Sequence, residues 1–230
     1  RQRTELYVSE AGSTAVTCLL VGRDLYCANA GDSRAVLCRL DNGNPTAVEL
    51  SSDHKPTKES EAQRIEASGR QVVEQRIDGI IAVSRGIGDI FFKTNGDLPA
   101  EEQAVTADPE IRKITLQDDD QFILLACDGI WDCFSSQAVI EMTYTWMNAG
   151  SSLKEVNETL MKRCLANDPK SSGGVGTDNM TVSNSFPPPG THLDCHACQR
   201  VIQSADFVLS FMRVCAAQCM IVQLKKPLKS

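Results

Sequence analysis

Residues 121–132 read QFILLACDGIWD, an apolar run that stops on Asp128-Gly129 with a second carboxylate, Asp132, four positions on. An ionised carboxylate at the edge of a core is expensive unless something of opposite charge meets it. Clustered aspartates most often meet a metal ion, and hard oxygen donors favour Mg2+ or Mn2+. The same residues also suit a plain strand that ends in an Asx turn. Three further segments set acids beside glycine in turn sequences that border strands: Gly31-Asp32-Ser33, Gly86-Ile87-Gly88-Asp89 and Gly176-Thr177-Asp178. Each alone is a good turn. Together they could bring several aspartates to one rim, where they would repel unless cations bridged them.

The elements that must position these acids follow from the pattern. Residues 14–21 and 25–30 are β-rich and separated by Gly22-Arg23-Asp24, and residues 34–40 and 46–50 flank Asp41-Asn42-Gly43-Asn44. Two such hairpins predict one antiparallel meander. Thr57, after Pro56, is placed to cap a helix with Glu59 and Glu61 in its first turn, and Gly69 stops it. Further strands are expected at 80–83, 122–127 and 180–182. Between the first two of these, residues 86–109 form a long Gly- and charge-rich connection of the kind that is often functional. Two helices should follow, one capped by Ser135 or Ser136 and running to Asn148, the other from Ser151 to about Ala166. Met142 and Trp146 read as core residues of the first. Consecutive strands followed by grouped helices predict an α+β fold.

Composition bounds the function. The 230 residues are 42% hydrophobic and 23% charged, ordinary for a globular protein, and suit one domain or a domain with an appendage. A net charge of -7 speaks against broad nucleic-acid or anionic-membrane binding. No apolar run reaches a membrane span and the polar start lacks a secretory h-region. Cys18, Cys27, Cys38 and Cys127 sit in apolar runs, where free cysteine behaves as a small hydrophobe, which points to a reducing intracellular compartment. The charge is uneven: residues 1–182 carry 18 basic and 28 acidic side chains, and residues 183–230 five and two.

Seven blocks in order, AGSTAV, ANAGDSRAVL, SSDHKPTKESEAQRIEASG, IAVSRGIGD, TADPEI, DDQFILLACDGIWD and GTDNMTV, resemble the metal-dependent serine/threonine protein phosphatases, the PPM or type 2C family. The resemblance covers about residues 11–182. It implies a four-layer α-β-β-α sandwich of two antiparallel sheets flanked by helices, here in part. It implies two Mg2+ or Mn2+ ions, with a third, weaker ion in some members. Asp128 and Asp178 match the family's metal-ligating carboxylates, and Asp32 and Asp132 match positions that join Asp128 around the third ion. In the family a metal-activated water attacks phosphoserine or phosphothreonine directly, so no residue here is assigned as a catalytic nucleophile. Residues 86–109 match a flap beside the active site. The resemblance further implies phosphoprotein substrates, a monomer that binds neither nucleic acid nor membrane, and a cytoplasmic or nuclear location.

Two departures shape the expectation. The family's Asp-Gly-His-Gly-Gly motif and first acidic pair, which complete the metal shell, have no counterpart in residues 1–12. The chain is therefore expected to be N-terminally incomplete and inactive as it stands, and a non-enzymatic, phosphatase-like regulatory or binding protein is the alternative. His54, in a turn leading to a helix, reads as structural. After GTDNMTV, three prolines at 187–189 interrupt the strand the family would continue, so 1–182 reads as the phosphatase domain and 183–230 as a divergent tail. Within the tail, Cys195, Cys198, Cys215 and Cys219 have spacing close to a zinc ribbon, although an amphipathic run without knuckle glycines lies between the pairs. A haloacid-dehalogenase reading of the 122–128 strand fails because Ile130 stands where a second aspartate is needed.

Overall fold

The computed structural model describes residues 11–168, 170, 172–183 and 222–223. In chain order the strands are β1 (Gly12–Ser13), β2 (Ala15–Val21), β3 (Asp24–Ala30), β4 (Arg34–Asp41), β5 (Asn44–Glu49), β6 (Val72–Val73), β7 (Arg76–Ile77), β8 (Ile87–Gly88), β9 (Glu110–Thr115), β10 (Asp120–Ala126), β11 (Val182–Ser183) and β12 (Val222–Gln223). The helices are α1 (Glu59–Ala67), α2 (Asp128–Trp131), α3 (Ser136–Asn148) and α4 (Leu153–Cys164). Two compact units result. One is made of residues 11–15, 29–32 and 52–110, the other of 16–28, 33–51 and 111 onward.

The larger unit holds two sheets. In β2–β3 the two-residue turn starts on Gly22 at φ 62°, and in β4–β5 Asn42 and Gly43 take φ 48° and 84°. Positive φ at both central residues is the I′ turn, whose twist matches the strands it joins. The expected meander is nevertheless not one sheet. β2 and β3 order with β9, whereas β4 and β5 order with β10 and β11, and β12 also pairs β10. Residues 31–33 are the crossover between sheets, and hairpin turns and crossovers draw on the same small polar residues. β10 runs antiparallel to β4 from Ala126↔Arg34 to Asp120↔Arg39. Its residues 122–126 are all buried, which explains a run with no polar alternation.

Val16 and Leu25 of one sheet, Leu37 and Leu124 of the other, and Ile130, Ile140 and Leu160 of the helices share one core. α3 packs on β4 and β5, and α4 on α3. The fold is thus α+β, and the helices of this unit lie on the sheet that holds β4, β5 and β10. Ser135 caps α3, its hydroxyl accepting from the Ala138 N–H at 3.3 Å. α4 starts at Leu153, two residues later than expected, behind a capping box of Ser152 and Glu155.

In the smaller unit α1 begins after Lys58, whose side chain makes no cap bond, rather than at Thr57. Gly69, at φ 90°, ends it as expected. The strand expected at 80–83 does not form. Asp78 and Gly79 take φ 52° and 73°, Ile80 stays 59% exposed, and only isolated bridges Ile77↔Ile81 and Arg85↔Thr106 remain. Ile65, Ile77, Phe92, Ala104 and Val105 form this unit's core. The 86–109 connection carries two 3-10 turns, Ile90–Phe92 and Ala100–Glu102. Gln103, buried, ties it by donating to the carbonyls of Asn95 (2.7 Å) and Leu98 (2.9 Å) while accepting from the Asn95 N–H (3.1 Å).

Candidate metal centre

β10 delivers its last residue to a chain reversal in which Cys127 is the N-cap and Asp128 the first residue of α2. The Trp131 indole N–H donates to the Ala126 carbonyl at 2.6 Å and locks the short helix onto the strand end. Arg34 covers that indole at 5.1 Å and donates to Ser136 Oγ at 2.8 Å. Asp132 closes the turn, its N–H donating to the Asp128 carbonyl at 2.7 Å. Asp128 is half-buried, Asp132 exposed.

Asp178 reaches the same turn from fifty residues away. The Cys127 thiol donates to the Asn179 carbonyl and its sulfur accepts from the Thr181 N–H, both at 3.3 Å. Val182 then pairs with Ala126 as β11 joins β10. Gly129 makes the approach possible, because a Cβ there would stand 2.5 Å from the Asn179 carbonyl oxygen. Burial pushes the Cys127 thiol pKa up, and the negative charges of Asp128 and Asp178 both raise it further. Two carboxylates from distant segments therefore act on one sulfur. Asp178 is exposed, and its Oδ1 accepts from the Asn179 N–H at 2.6 Å.

Asp32 belongs to the smaller unit. It is 5% exposed and ion-paired with Lys55. The residues around it are gripped from the 52–55 segment. Asn29 Nδ2 donates to the carbonyls of Gly31 (3.0 Å) and Ser52 (2.9 Å), and the His54 N–H donates to the Gly31 carbonyl (3.0 Å). His54 Nδ1 accepts from the Gly31 N–H at 3.2 Å. Lys55 and His54 sat in a block singled out in the sequence, but no spacing rule could pair Lys55 with an aspartate 23 residues earlier.

Among the described residues no group of three or more His, Cys, Asp or Glu side chains is arranged to hold a metal ion. Asp128 and Asp178, on segments held against each other, carry hard oxygens suited to Mg2+ or Mn2+. The neighbouring Cys127 sulfur is engaged in two hydrogen bonds. The residues present therefore fit such an ion as part of its shell. Cys195, Cys198, Cys215 and Cys219, the prolines at 187–189 and the rest of the 184–221 segment lie outside the described residues.

Residues 1–173 match the family model described as Protein phosphatase 2C. Protein phosphatase 2C homolog 3 of Schizosaccharomyces pombe is 48% identical over 178 residues, which are 77% of this chain and 42% of the yeast protein. Probable protein phosphatase 2C 60 of Arabidopsis thaliana is 45% identical over 172 residues, 75% of this chain and 46% of the plant protein. A solved phosphatase structure from Toxoplasma gondii superposes with a TM-score of 0.55 at 38% identity, covering 60% of this chain and 43% of that one. The chain spans less than half the length of these relatives. With the strand end, the helix turn and the 178–182 segment assembled in one place, the matching model and relatives identify the chain as a member of the protein phosphatase 2C family.

Proposed function

We propose that this chain carries part of the catalytic domain of a protein serine/threonine phosphatase that acts on phosphoserine or phosphothreonine in protein substrates. The observation that carries this reading is that the Cys127 sulfur and the backbone at Gly129 seat the segment bearing Asp178 against the turn that begins at Asp128. Asp128 and Asp178 would hold Mg2+ or Mn2+, with Asp132 and Asp32 as further carboxylates for a weaker, third ion. Bound there, the metal supplies Lewis-acid charge that neutralises phosphate and lowers the pKa of an attacking water. The protein's part is to fix the carboxylates: β10 and Trp131 orient Asp128, and the Cys127 sulfur and Gly129 seat the segment bearing Asp178.

Two carboxylates leave most of an octahedral shell to water, and an ion so held binds weakly. We infer that residues 1–230 alone turn over little substrate. A phosphatase-like binding role is the second reading, favoured by the lack of a three-donor group among the described residues. A monomer working in cytoplasm or nucleus on phosphoproteins, with residues 1–182 as the domain and 183–230 as a tail, accords with the charge and cysteine usage. No helix among the described residues is long and apolar enough to cross a membrane.

The test is Mn2+ titration of the purified 230-residue chain by NMR, beside an assay on a phosphothreonine peptide. Selective broadening at 128–129 and 178–179, lost in Asp128→Asn, with negligible turnover is expected. Uniform or absent broadening would overturn the metal reading. Robust turnover abolished by Asp128→Ala would overturn the inference of inactivity.

A further inference from the structure

His54 is fully buried yet keeps a polar atom with no hydrogen-bond partner. Its Nδ1 accepts the Gly31 N–H at 3.2 Å, so the neutral ring must carry its proton on Nε2. That Nε2–H finds no hydrogen bond; Glu110 Oε2 is the nearby carboxylate oxygen, at 3.4 Å. An orphaned buried donor costs stability. A residue that only filled this space could be apolar and avoid that cost, so the use of His54 lies in its other nitrogen.

That nitrogen is half of a bracket around Gly31. The ring accepts the N–H that precedes the Gly31 Cα, and the His54 backbone N–H donates to the carbonyl that follows it. Gly31 sits at φ 126°, in a region open to glycine, and a Cβ there would lie 2.3 Å from Thr14 Cγ2. A glycine so placed has no side chain to set its torsions. Pinning both of its peptides to one residue fixes them from outside, and they set the direction in which Asp32 leaves the strand end. His54 is itself anchored, its carbonyl accepting from the Ser84 N–H and the Ser84 hydroxyl, both at 3.0 Å.

We propose that His54, in the tautomer protonated on Nε2, is the positioning residue for Asp32, acting through Gly31. The proposal rests on the reading of Asp32 as a metal-ligating carboxylate and adds the residue that aims it. Burial, and next the charge of Arg85, hold the His54 pKa below its ordinary value, which keeps the Nδ1 lone pair free to accept.

The test uses the full 230-residue chain labelled with 15N. In the wild type, a coupling across the Gly31 N–H to His54 Nδ1 bond and the nitrogen shifts of an Nε2-protonated ring are expected. A ring protonated on Nδ1 overturns the proposal, whatever the variants do. In His54→Asn the side-chain carbonyl oxygen can replace Nδ1, whereas His54→Leu offers no acceptor. The Gly31 amide should exchange at least tenfold faster in His54→Leu and stay protected in His54→Asn, and the Asp32 shift should move only in the former. An unchanged Gly31 amide and Asp32 shift in folded His54→Leu overturns the proposal. Mn2+ separates the two readings: broadening at Asp32 that falls several-fold in His54→Leu and is rescued in His54→Asn supports both. Protection that follows the acceptor with no Mn2+ effect at Asp32 in any variant supports the positioning and overturns the metal assignment of Asp32.

Discussion

A Cβ on Gly129 would stand 2.5 Å from the carbonyl oxygen of Asn179, so the helix that begins at Asp128 and the segment that begins at Asp178 touch backbone to backbone. Gly129→Ala should gain about 1 kcal/mol of helix propensity. It must also displace a backbone carbonyl, and forced overpacking costs about 1–3 kcal/mol. The clash should win, by about 1 kcal/mol. The displacement falls on the 178–182 segment, because β10 and the Trp131 lock hold the other side. Faster hydrogen exchange at the Thr181 amide, whose acceptor is the Cys127 sulfur, is the expected signature. Unchanged exchange there would show that the segment is not seated by this contact.

Stability should fall steadily on acidification, in two stages with the same sign. His54 is held below its ordinary 6.5, first by burial and then by the Arg85 charge. The unfolded chain therefore takes up the proton first, and the contribution is whole above pH 6.5 and lost as pH falls through the depressed value. Glu61 follows. Burial alone would raise its carboxyl, but hydrogen bonds from Arg85, Ser84 and Arg64 outweigh this and bring it from 4.5 down to about 2. Its contribution, on the order of 3 kcal/mol, is present above pH 4.5 and lost between there and pH 2. Urea midpoints should be flat between pH 6.5 and about 8, decline below pH 6.5 and steepen below 4.5. Glu61→Gln should remove the steep stage, at a cost of about 3 kcal/mol at pH 7 because Arg64 and Arg85 lose their buried partner. A midpoint that rises between pH 7 and pH 5 would contradict the assignment.

The strand that ends before Asp128 was legible because its signal is local. β10 buries both faces, so its residues form an unbroken apolar run, and the carboxylate that ends such a run stands out. The I′ turn at Asn42-Gly43 and the cap at Ser135 are local in the same way. What was not legible depends on partners far along the chain. The rim pattern and the resemblance pointed to Asp178, but not to the cysteine sulfur and missing Cβ that seat its segment, and Lys55 meets Asp32 across 23 residues. The 80–83 segment misled because its apolar residues fit a strand and outweighed the Asp78-Gly79 turn signal just before it, where both residues take left-handed backbone. The sheet change at residues 31–33 was hidden for a related reason: Gly-Asp-Ser turns a chain within a sheet or out of it equally well.

Three thiols should resist alkylation in the folded chain. Burial, with the Asp120 carboxylate beside it, pushes Cys38 up to about 12. Burial, then the neighbouring thiol of Cys133, pushes Cys164 up to about 12, and burial raises Cys127 as well. The thiolate is the reactive form, so at pH 8 only about one Cys38 or Cys164 in ten thousand is primed to react. Brief iodoacetamide treatment followed by peptide mass spectrometry should leave all three unmodified, with labelling restored in urea. Prompt native labelling of Cys38 would show that β4 opens readily.

The β6–β7 hairpin should be improvable at its turn. Val73 pairs with Arg76, and the two residues between them, Glu74 and Gln75, take φ 48° and 64°. This is the same left-handed pair of conformations that Asn42 and Gly43 adopt between β4 and β5, but with residues that carry a full Cβ penalty and no local compensation. Both side chains are exposed, so replacing them removes no core contact. Glu74→Asn with Gln75→Gly should stabilise the hairpin by about 1–2 kcal/mol. The readout must come from the smaller unit, since both tryptophans, Trp131 and Trp146, report on the larger one. Slower hydrogen exchange at Ile77, whose N–H donates to the Ile81 carbonyl at 2.9 Å, is the expected result. The reciprocal pair, Asn42→Glu with Gly43→Gln, should cost a similar amount in β4–β5. If the first pair of substitutions fails to slow exchange while the second weakens its hairpin, the 74–75 turn does not hold the left-handed conformation.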